Sequence, residues 1–460
     1  MTHLSVYLNT KDKLIKFFTS GHERSLKAKK NIAASFVIKG LSLLISLLLV
    51  PLTLNYLNPT KYGIWITLYS IVSWFSFFDI GLGNGLRNKL AESIAKGEKN
   101  QAKIYVSTTY AILSIITFGL FIIFIIVNYL IDWSVILNAP AELKTELSYL
   151  ALIVFGFFCL KFVLQLIGTI VTADQKPALN NLFNFLSNLI SLFIIFILTK
   201  TSSGSLIYLG TAITASPVII FFAASLILYH SGYKEYIPAI RSINFRYAKN
   251  LMGLGFKFFV IQLAAVILFT TDNIIISQLF NPSEVTPYNI SYKYFSIVTT
   301  FFMIILSPFW SAYTDAYAKK DFIWIKNIIK SSLKIWYIIL FIIVIMLALS
   351  NWIYEFWIGN VIQISFSLSL TMAVYIIAYT FNAIFVVFIN GTGKLQLQLY
   401  SSIASIILNI PLSIILAKTF GIGTPGVMMA TIICISPMLV VGPLQTKKII
   451  NNSAKGVWNI

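Results

Sequence analysis

The chain has 460 residues, of which 58% are hydrophobic and only 11% are charged, and its mean hydropathy is +0.85. A soluble protein of this length cannot bury so much apolar surface, so the composition predicts a polytopic membrane protein. The net charge of +19 would indicate a nucleic-acid partner in a soluble protein. In a membrane protein the positions of the basic residues set the topology instead, and no nucleic acid is expected.

Apolar runs long enough to cross a bilayer recur along the whole chain. About 20 apolar residues span the hydrocarbon core as a helix. By this criterion the sequence predicts twelve transmembrane helices, at about 31–57, 61–84, 104–131, 146–171, 178–199, 205–229, 251–279, 285–313, 328–350, 362–389, 395–417 and 423–445. A β-barrel would instead show short segments of alternating hydrophobicity. The predicted fold class is therefore all-α, with two six-helix bundles around a central polar cavity.

The predicted domains follow from the spacing of these runs. We expect a basic tail, an N-terminal bundle, a linker, a C-terminal bundle and a second tail, at residues 1–30, 31–229, 230–250, 251–445 and 446–460. Most of the 34 Lys and Arg residues fall in the tails, the linker and alternate loops. Because cytoplasmic loops are enriched in Lys and Arg, both termini are predicted to be cytoplasmic. The opposite loops are too short to form a catalytic domain, which argues against an enzyme.

A weak internal repeat relates the two predicted bundles. At an offset of 223 residues, Asn58-Pro59-Thr60 falls on Asn281-Pro282-Ser283. The basic, amphipathic connections at about 85–103 and 311–327 belong to the two copies and are predicted to be helices at the membrane interface. Many transporters are built from two such repeats. We therefore expect the halves to be related by rotation about the membrane normal.

Five predicted helices carry polar residues at helical spacing. Such a line marks a helix face turned toward protein or water instead of lipid. It indicates either hydrogen bonds between packed helices or a hydrated cavity, and its presence in both halves favours the cavity. The lines are Ser35, Lys39, Ser42 and Ser46; Lys161, Gln165, Thr169 and Thr172; Asn180, Asn184, Ser187 and Ser191; Asn289, Lys293, Ser296, Thr300 and Ser307; and Gln398, Ser402, Ser405, Asn409 and Ser413.

Lysines within the predicted helices are candidate binding residues. A charge at mid-bilayer costs about 2.5 to 3.5 kcal/mol on insertion scales, so its presence indicates a function. Lys161 lies deepest, whereas Lys39 and Lys293 lie closer to a helix end, where a lysine can also snorkel to the interface. Lys257 is shallower still, and snorkelling is favoured there. The excess of lysines over carboxylates in these helices indicates an anionic cargo.

Two acidic residues also fall within the predicted helices. Asp79 lies at the end of the second helix, where it is expected either to cap a helix or to pair with Arg87. Asp272 lies deeper in the seventh helix and is followed by Asn273.

Motifs of soluble chemistry are weak in this sequence. The glycine-rich run at residues 81–85 ends a membrane span instead of following a strand, and Gly391-Thr392-Gly393-Lys394 lacks the remaining residues of a phosphate-binding loop. The three histidines are separated in sequence, so no metal site is expected and no cofactor is implied. Cys159 and Cys434 lie in apolar runs and are expected to act as small packing residues.

The start of the chain resembles the bacterial polysaccharide flippases. The resemblance rests on the turn at residues 56–65 and above all on Phe78-Asp79-Ile80-Gly81-Leu82-Gly83-Asn84-Gly85-Leu86-Arg87. These flippases are the O-antigen or repeat-unit translocases of the multidrug, oligosaccharidyl-lipid and polysaccharide exporter superfamily. The resemblance implies a V-shaped fold of two six-helix bundles, a location in the bacterial inner membrane and alternating access.

The resemblance also implies a cargo and residues that bind it. The cargo would be an oligosaccharide on undecaprenyl diphosphate, moved from the cytoplasmic to the periplasmic leaflet, with membrane lipid, a proton or sodium ion and a polysaccharide polymerase as partners. Cationic residues of the family's lumen receive the diphosphate or acidic sugars. The implied substrate residues here are Lys39, Lys161, Lys293, Lys257 and Arg87, and the implied coupling residues are Asp79 and Asp272.

Three alternatives are weighed against this interpretation. A cation-coupled multidrug exporter of the same superfamily would need buried carboxylates, whereas the predicted helices contain more lysines. A membrane polysaccharide polymerase or ligase would be expected to have a long periplasmic loop with arginines. A major-facilitator transporter shares the plan of two six-helix halves but carries a Gly- and Arg-rich signature that this chain lacks.

Overall fold

The fold is entirely helical over the described part of the chain. The computed structural model describes residues 23–79, 81–174, 176–248, 263, 268 and 270–460, and no β-strand occurs among them. The all-α fold class expected from composition is therefore confirmed.

The N-terminal half contains the helices that precede the linker. In chain order they are α1 (Glu23–Tyr56), α2 (Pro59–Ser73), α3 (Leu82–Lys96), α4 (Lys99–Leu130), α5 (Trp133–Ile136), α6 (Lys144–Leu164), α7 (Leu166–Ala173), α8 (Pro177–Thr201) and α9 (Leu206–His230). A 3₁₀ turn (Trp74–Asp79) continues α2. Within this half α1 packs on α8, and α6 packs on α9.

The C-terminal half repeats this plan. Residues 270–279 are helical, and they are followed by α10 (Pro282–Ala318), α11 (Phe322–Ala348), α12 (Ser350–Ile358), α13 (Phe366–Thr392), α14 (Gln396–Ile414) and α15 (Thr424–Ile450). Helix α13 is central, since it packs on α10, α11 and α15.

Ten of the described helical stretches are long and apolar enough to cross a membrane. The expected number was twelve. The second predicted span is divided between α2 and the 3₁₀ turn, neither of which is long enough alone. The seventh, at about 251–279, lies mostly outside the described residues. The difference therefore comes from one interrupted helix and one segment that is only partly described.

The two copies of the repeat open with the same local structure. The Asn58 side chain accepts a hydrogen bond from the Lys61 N–H at 2.8 Å, and the Asn281 side chain accepts one from the Glu284 N–H at 3.2 Å. In both copies a proline follows the asparagine as the first helical residue. The asparagine side chain accepts a hydrogen bond from a backbone N–H that has no partner within the helix. Proline at the first helical position has no N–H that would remain unpaired.

The two copies differ after their first four turns. In the first copy the helix breaks between α2 and α3, where Gly81 adopts a φ of +79° that a side chain would strain. The corresponding residues 297–304 lie within the continuous helix α10. The first connection thus forms a separate helix, α3, as expected. The second does not, because α10 itself extends to Ala318.

Buried apolar residues form three clusters. One lies in the N-terminal half around Trp65, Phe155 and Leu206, and a second lies around Leu86 on α3. The third fills the C-terminal half and also includes Val50, Leu54 and Tyr62 of the N-terminal half. Lipid competes with apolar contacts between membrane helices, so close packing and interhelical hydrogen bonds must hold the halves together.

The linker is attached to the N-terminal half. The backbone N–H groups of Ala239 and Asn244 donate to the hydroxyls of Ser107 and Thr108, at 3.1 Å and 3.0 Å. Lys99 forms an ion pair with Glu235 at 2.6 Å. Residues 234–247 therefore lie along the surface of α4.

Candidate functional site

The two halves meet where the repeat copies begin. Thr286 donates to the Pro59 carbonyl at 2.7 Å, and a Cβ at Gly63 would lie 1.7 Å from the Pro282 carbonyl oxygen. Pro59 and Gly63 are the repeat equivalents of Pro282 and Thr286, so equivalent positions of the two copies approach each other reciprocally. Such a reciprocal contact is what a two-fold axis produces. We call this end of the molecule the closed end.

A short helix of the N-terminal half is hydrogen-bonded to the C-terminal half near the closed end. The Gln278 side chain donates to the carbonyls of Val135 and Ile136 in α5, at 2.7 Å and 2.6 Å. The Ser277 hydroxyl donates to the Leu137 carbonyl at 2.6 Å, and Asn138 donates back to the Ser277 carbonyl at 2.8 Å. We call these contacts the α5 latch.

Further hydrogen bonds join the two halves. Asn273 donates to Ser70 at 2.7 Å, and the Trp357 indole donates to the Leu47 carbonyl at 2.9 Å. At the C-terminal end of α2, the Trp74 indole also donates to the Thr270 hydroxyl. Hydrogen bonds between the halves thus extend from the closed end along the length of α2.

A cavity of about 310 Å³ lies within the N-terminal half, and we call it the N-half cavity. It is bounded by residues of the α2–α3 break, α4, α6, α7, α8 and α9, and its lining is mostly polar. Two of the predicted polar lines converge on it, through Gln165, Thr169, Thr172, Asn180 and Asn184. These two lines therefore face a polar cavity, but it lies within the N-terminal half and not between the halves as expected.

The break between α2 and α3 brings Asp79 and Arg87 to the N-half cavity. The Asp79 carboxylate accepts the N–H of Gly83 at 2.9 Å and thereby caps the start of α3. No ion pair between Asp79 and Arg87 is found among the described residues, so of the two expected roles Asp79 takes the cap. Arg87 is exposed within the cavity wall.

A second cavity, of about 470 Å³, lies between the halves, and we call it the inter-half cavity. Its walls are α1 and α10. Lys39 and Ser42 belong to the predicted polar line on α1, and Thr300 and Ser307 belong to the one on α10. Apolar side chains, including Met303, complete the lining. A lysine and apolar groups thus share one site at the boundary of the two bundles.

The predicted residues Lys161 and Lys293 line neither of these two cavities. Lys161 is half-buried in the last turn of α6, one turn before Gln165, and Lys293 is half-buried in α10. No carboxylate within 4 Å pairs with Lys39, Lys161 or Lys293 among the described residues. Lys257 lies outside the described residues.

Asp272 lies in a buried polar cluster of the C-terminal half. Its side chain is 1% exposed, and one carboxylate oxygen accepts a hydrogen bond from the Tyr288 hydroxyl. Thr431 faces the same carboxylate and accepts a hydrogen bond from Asn409 at 3.1 Å. The Asp272 Oδ1 and Asn409 Oδ1 atoms are buried without hydrogen-bond donors among the described residues. Free oxygens in a buried site are suited to a small cation or a proton.

The polar line on α14, from Gln398 to Ser413, does not reach either cavity. Gln398, Ser405, Asn409 and Ser413 are buried, and Ser405 donates to the Cys434 carbonyl of α15 at 3.1 Å. For this line the alternative of hydrogen bonds between packed helices applies. Cys159 and Cys434 are both buried and form no disulfide, as expected of packing residues.

Sequence reasoning missed the α5 latch and the contribution of Tyr288 and Thr431. The latch acceptors are backbone carbonyls, which have no sequence signal. Tyr288 precedes Asn289 of a predicted polar line. Its hydrogen bond to Asp272 depends on how the two helices pack, which the sequence does not reveal.

Comparisons with known proteins agree with this architecture. The profile of the family described as polysaccharide biosynthesis protein matches residues 28–314, and the MatE profile matches residues 258–415. A protein of Yersinia pseudotuberculosis named for O-antigen export is 25% identical over 290 residues, which cover 61% of this chain and 64% of that protein. A protein of Salmonella typhimurium named for O-antigen transport is 24% identical, over 58% of this chain and 61% of its own length. The matches thus span less than two thirds of these relatives.

Solved structures of similar fold cover nearly the whole chain. An inward-facing structure of a multidrug resistance MATE family transporter of the MOP superfamily superposes with a TM-score of 0.75, over 92% of this chain and 98% of that one. An outward-facing structure of such a transporter gives 0.66, over 95% and 98%. At 14% identity both show the fold alone. Since the family profile covers more than half of the sequence, the chain belongs to the family described as polysaccharide biosynthesis protein.

Proposed function

We propose that this protein is a flippase that moves undecaprenyl-diphosphate-linked oligosaccharide repeat units from the cytoplasmic to the periplasmic leaflet of the bacterial inner membrane. It acts as a transporter and not as an enzyme. The inter-half cavity carries the proposal, because one unpaired lysine and apolar side chains lie together between α1 and α10. The relatives named for O-antigen export and transport support the same cargo.

Lys39 binds the diphosphate in this proposal. A lysine ammonium is a point charge that attracts phosphate without demanding a fixed orientation, which suits transient binding. The apolar part of the inter-half cavity accepts the first segment of the polyprenyl chain, whose remainder stays in lipid. Lys161, Lys293 and, from its sequence position, Lys257 supply further positive charge along the path.

The closed end corresponds to the periplasmic side in this proposal. The positive-inside rule places the basic tails and linker in the cytoplasm, and the Asn58 and Asn281 turns on the other side. Cargo then enters between the halves from the cytoplasm, and release requires the contacts of the closed end to break. This is alternating access about the pseudo-two-fold axis.

Asp272 couples transport to a proton or sodium gradient in this proposal. Its free Oδ1 atom and that of Asn409 are the acceptors that a bound ion would satisfy. We expect Asp272→Asn to fold, because the amide oxygen can still accept from Tyr288. Glycan export by this variant should no longer respond to the ion gradient, and export that still follows the gradient would exclude Asp272 as the coupling residue.

Deletion of the gene in its host tests the proposed function. Polyprenyl-linked glycans are extracted, and their membrane leaflet is determined by access to an added periplasmic glycosidase. Complete repeat units trapped on the cytoplasmic leaflet are the expected result. Complete but unpolymerised units on the periplasmic face would indicate a polymerase, and unchanged glycans would indicate a drug exporter.

A further inference from the structure

The N-half cavity differs chemically from the site proposed for the diphosphate. Amides from Gln165, Asn180 and Asn184 and the hydroxyl of Thr169 supply both donors and acceptors to it. Each such group can give and receive hydrogen bonds, as sugar hydroxyls also do. A phosphate only accepts, and a polyprenyl chain does neither.

The charges of the N-half cavity also argue against phosphate. Arg87 is its only cation among the described lining residues, and Asp79 supplies a carboxylate to the same wall. These two formal charges cancel, so a diphosphate would enter without a net opposite charge. The balance favours a ligand that is polar and nearly neutral.

The N-half cavity is small, and aromatic rings form part of its lining. Its volume of about 310 Å³ lies at the lower end of small-molecule sites, which run from roughly 300 to 1,000 Å³. The rings of Phe162 and Phe221 contribute to the lining. An aromatic ring offers an apolar surface on which the C–H face of a pyranose can pack.

We propose that the N-half cavity binds a sugar residue of the lipid-linked cargo, through hydroxyl or acetamido groups, and so selects the glycan. This inference rests on the proposed function. It separates two tasks, since the inter-half cavity binds the lipid diphosphate common to all such cargoes and the N-half cavity recognises the sugar that differs among them.

Asn180 is held in this cavity by a close approach to helix α7. A Cβ at Gly168 would lie 2.1 Å from the Asn180 Oδ1 atom. Gly168→Ala therefore displaces the Asn180 amide without removing it. Gly119→Ala is a matched control, because a Cβ at Gly119 meets no atom within 4 Å.

Thiol protection tests the assignment on the whole purified protein in lipid nanodiscs. Asn184 is exposed in the cavity wall, and the native cysteines are buried, so an Asn184→Cys thiol is the principal target of a hydrophilic maleimide. One probe is the lipid-linked glycan extracted from membranes of cells that make this protein, and the other is bare undecaprenyl diphosphate. The glycan-bearing lipid should slow labelling of Asn184→Cys roughly five- to tenfold, whereas the bare lipid should not.

A Ser42→Cys variant separates failure of this inference from failure of the proposed function. Ser42 lines the inter-half cavity, so both probes should protect its thiol. Protection at Ser42→Cys by both probes, with none at Asn184→Cys, would overturn the sugar site and leave the flippase proposal intact. Protection at neither position would overturn both. Equal protection of Asn184→Cys by the two lipids, or a thiol that never reacts, would also overturn the sugar site.

The glycine variants give an independent readout. Gly168→Ala should weaken binding of the glycan-bearing lipid roughly five- to tenfold, as expected for the loss of one or two hydrogen bonds, while binding of the bare lipid stays unchanged. Gly119→Ala should bind both lipids as the unaltered protein does. An equal loss for both lipids in Gly168→Ala would assign the residue a structural role and contradict selection of the sugar.

Discussion

At the scale of single residues, the unpaired lysines are the main candidates for binding. Lys161 lies in the last turn of α6 and is half-buried, and no carboxylate pairs with it among the described residues. A lysine held within a membrane helix without a counter-charge is costly and is therefore expected to serve the cargo.

Lys161→Ala should abolish glycan export and leave membrane insertion intact, because removal of the ammonium lowers the cost of the helix in the membrane and removes attraction for the diphosphate. Lys161→Arg should keep part of the activity. Export is measured as surface glycan on an immunoblot and is normalised to the amount of each variant in the membrane. Lys200→Ala, at the exposed end of α8, is the control. Normal glycan display by Lys161→Ala would remove this residue from the site.

Asp132, outside the membrane helices, caps the start of α5, and we expect its ionisation to set the acid limit of the α5 latch. Hydrogen bonds from Lys144 and Ser134 lower the pKa of Asp132 to about 2, against roughly 3.9 in an unfolded chain. The stabilisation is therefore complete above pH ~4 and is lost as the pH falls toward 2. Hydrogen exchange of α5, corrected for intrinsic rates, should show constant protection from pH 8 to 5. Loss of protection within that range would contradict this assignment.

At the scale of elements, the α5 latch is the contact most easily weakened without touching either cavity. Gln278 donates two hydrogen bonds to α5, and each is worth about 0.5 to 1.5 kcal/mol. Gln278→Ala should therefore shift the equilibrium away from the closed-end contact by roughly fivefold or more. Distances between spin labels on α5 and α12 would report the shift. An unchanged distance distribution would mean that the other contacts of the closed end suffice.

Sequence patterns located some elements and missed others for physical reasons. The Asn58 and Asn281 turns were predictable, because capping and proline chemistry are local. The break at Gly81 has a sequence signal, since the first copy is glycine-rich there and the second is not. The sequence favoured a cavity for the polar line from Gln398 to Ser413, whereas the structure buries most of it between helices. Residue spacing alone cannot distinguish a helix face that meets water from one that meets another helix. Both environments require polar atoms away from lipid.

At the scale of the whole molecule, the apolar runs and the weak repeat were enough to predict the helical two-bundle fold, but not the arrangement of the bundles. The relative position of the halves depends on contacts between residues more than 200 positions apart, such as Thr286 with Pro59. These contacts surround a pseudo-two-fold axis at the closed end, and the proposed alternating-access cycle requires them to break and re-form. The glycine at the centre of that contact is therefore the most direct place to block the cycle.

Gly63→Val should prevent the closed end from forming. A Cβ at residue 63 would lie 1.7 Å from the Pro282 carbonyl oxygen, and backbone cannot move aside as a flexible side chain can. The halves must then separate at this end, which favours the opposite state of the alternating-access cycle. We expect glycan export to fall below roughly a tenth of normal, since each 1.4 kcal/mol of bias against one state reduces its population tenfold.

The measurement combines export with thiol accessibility at the closed end. A Thr286→Cys thiol should be shielded from a hydrophilic maleimide when Gly63 is present, because Thr286 is buried against Pro59, and exposed in the Gly63→Val background. Gly119→Val makes the same change in α4, where a Cβ meets no atom, and should leave export and shielding unchanged. Both variants must first be recovered from the membrane as monodisperse protein. Normal export together with a shielded thiol in Gly63→Val would show that the closed end opens and closes without this contact, and the pseudo-two-fold axis would then not be the site of gating.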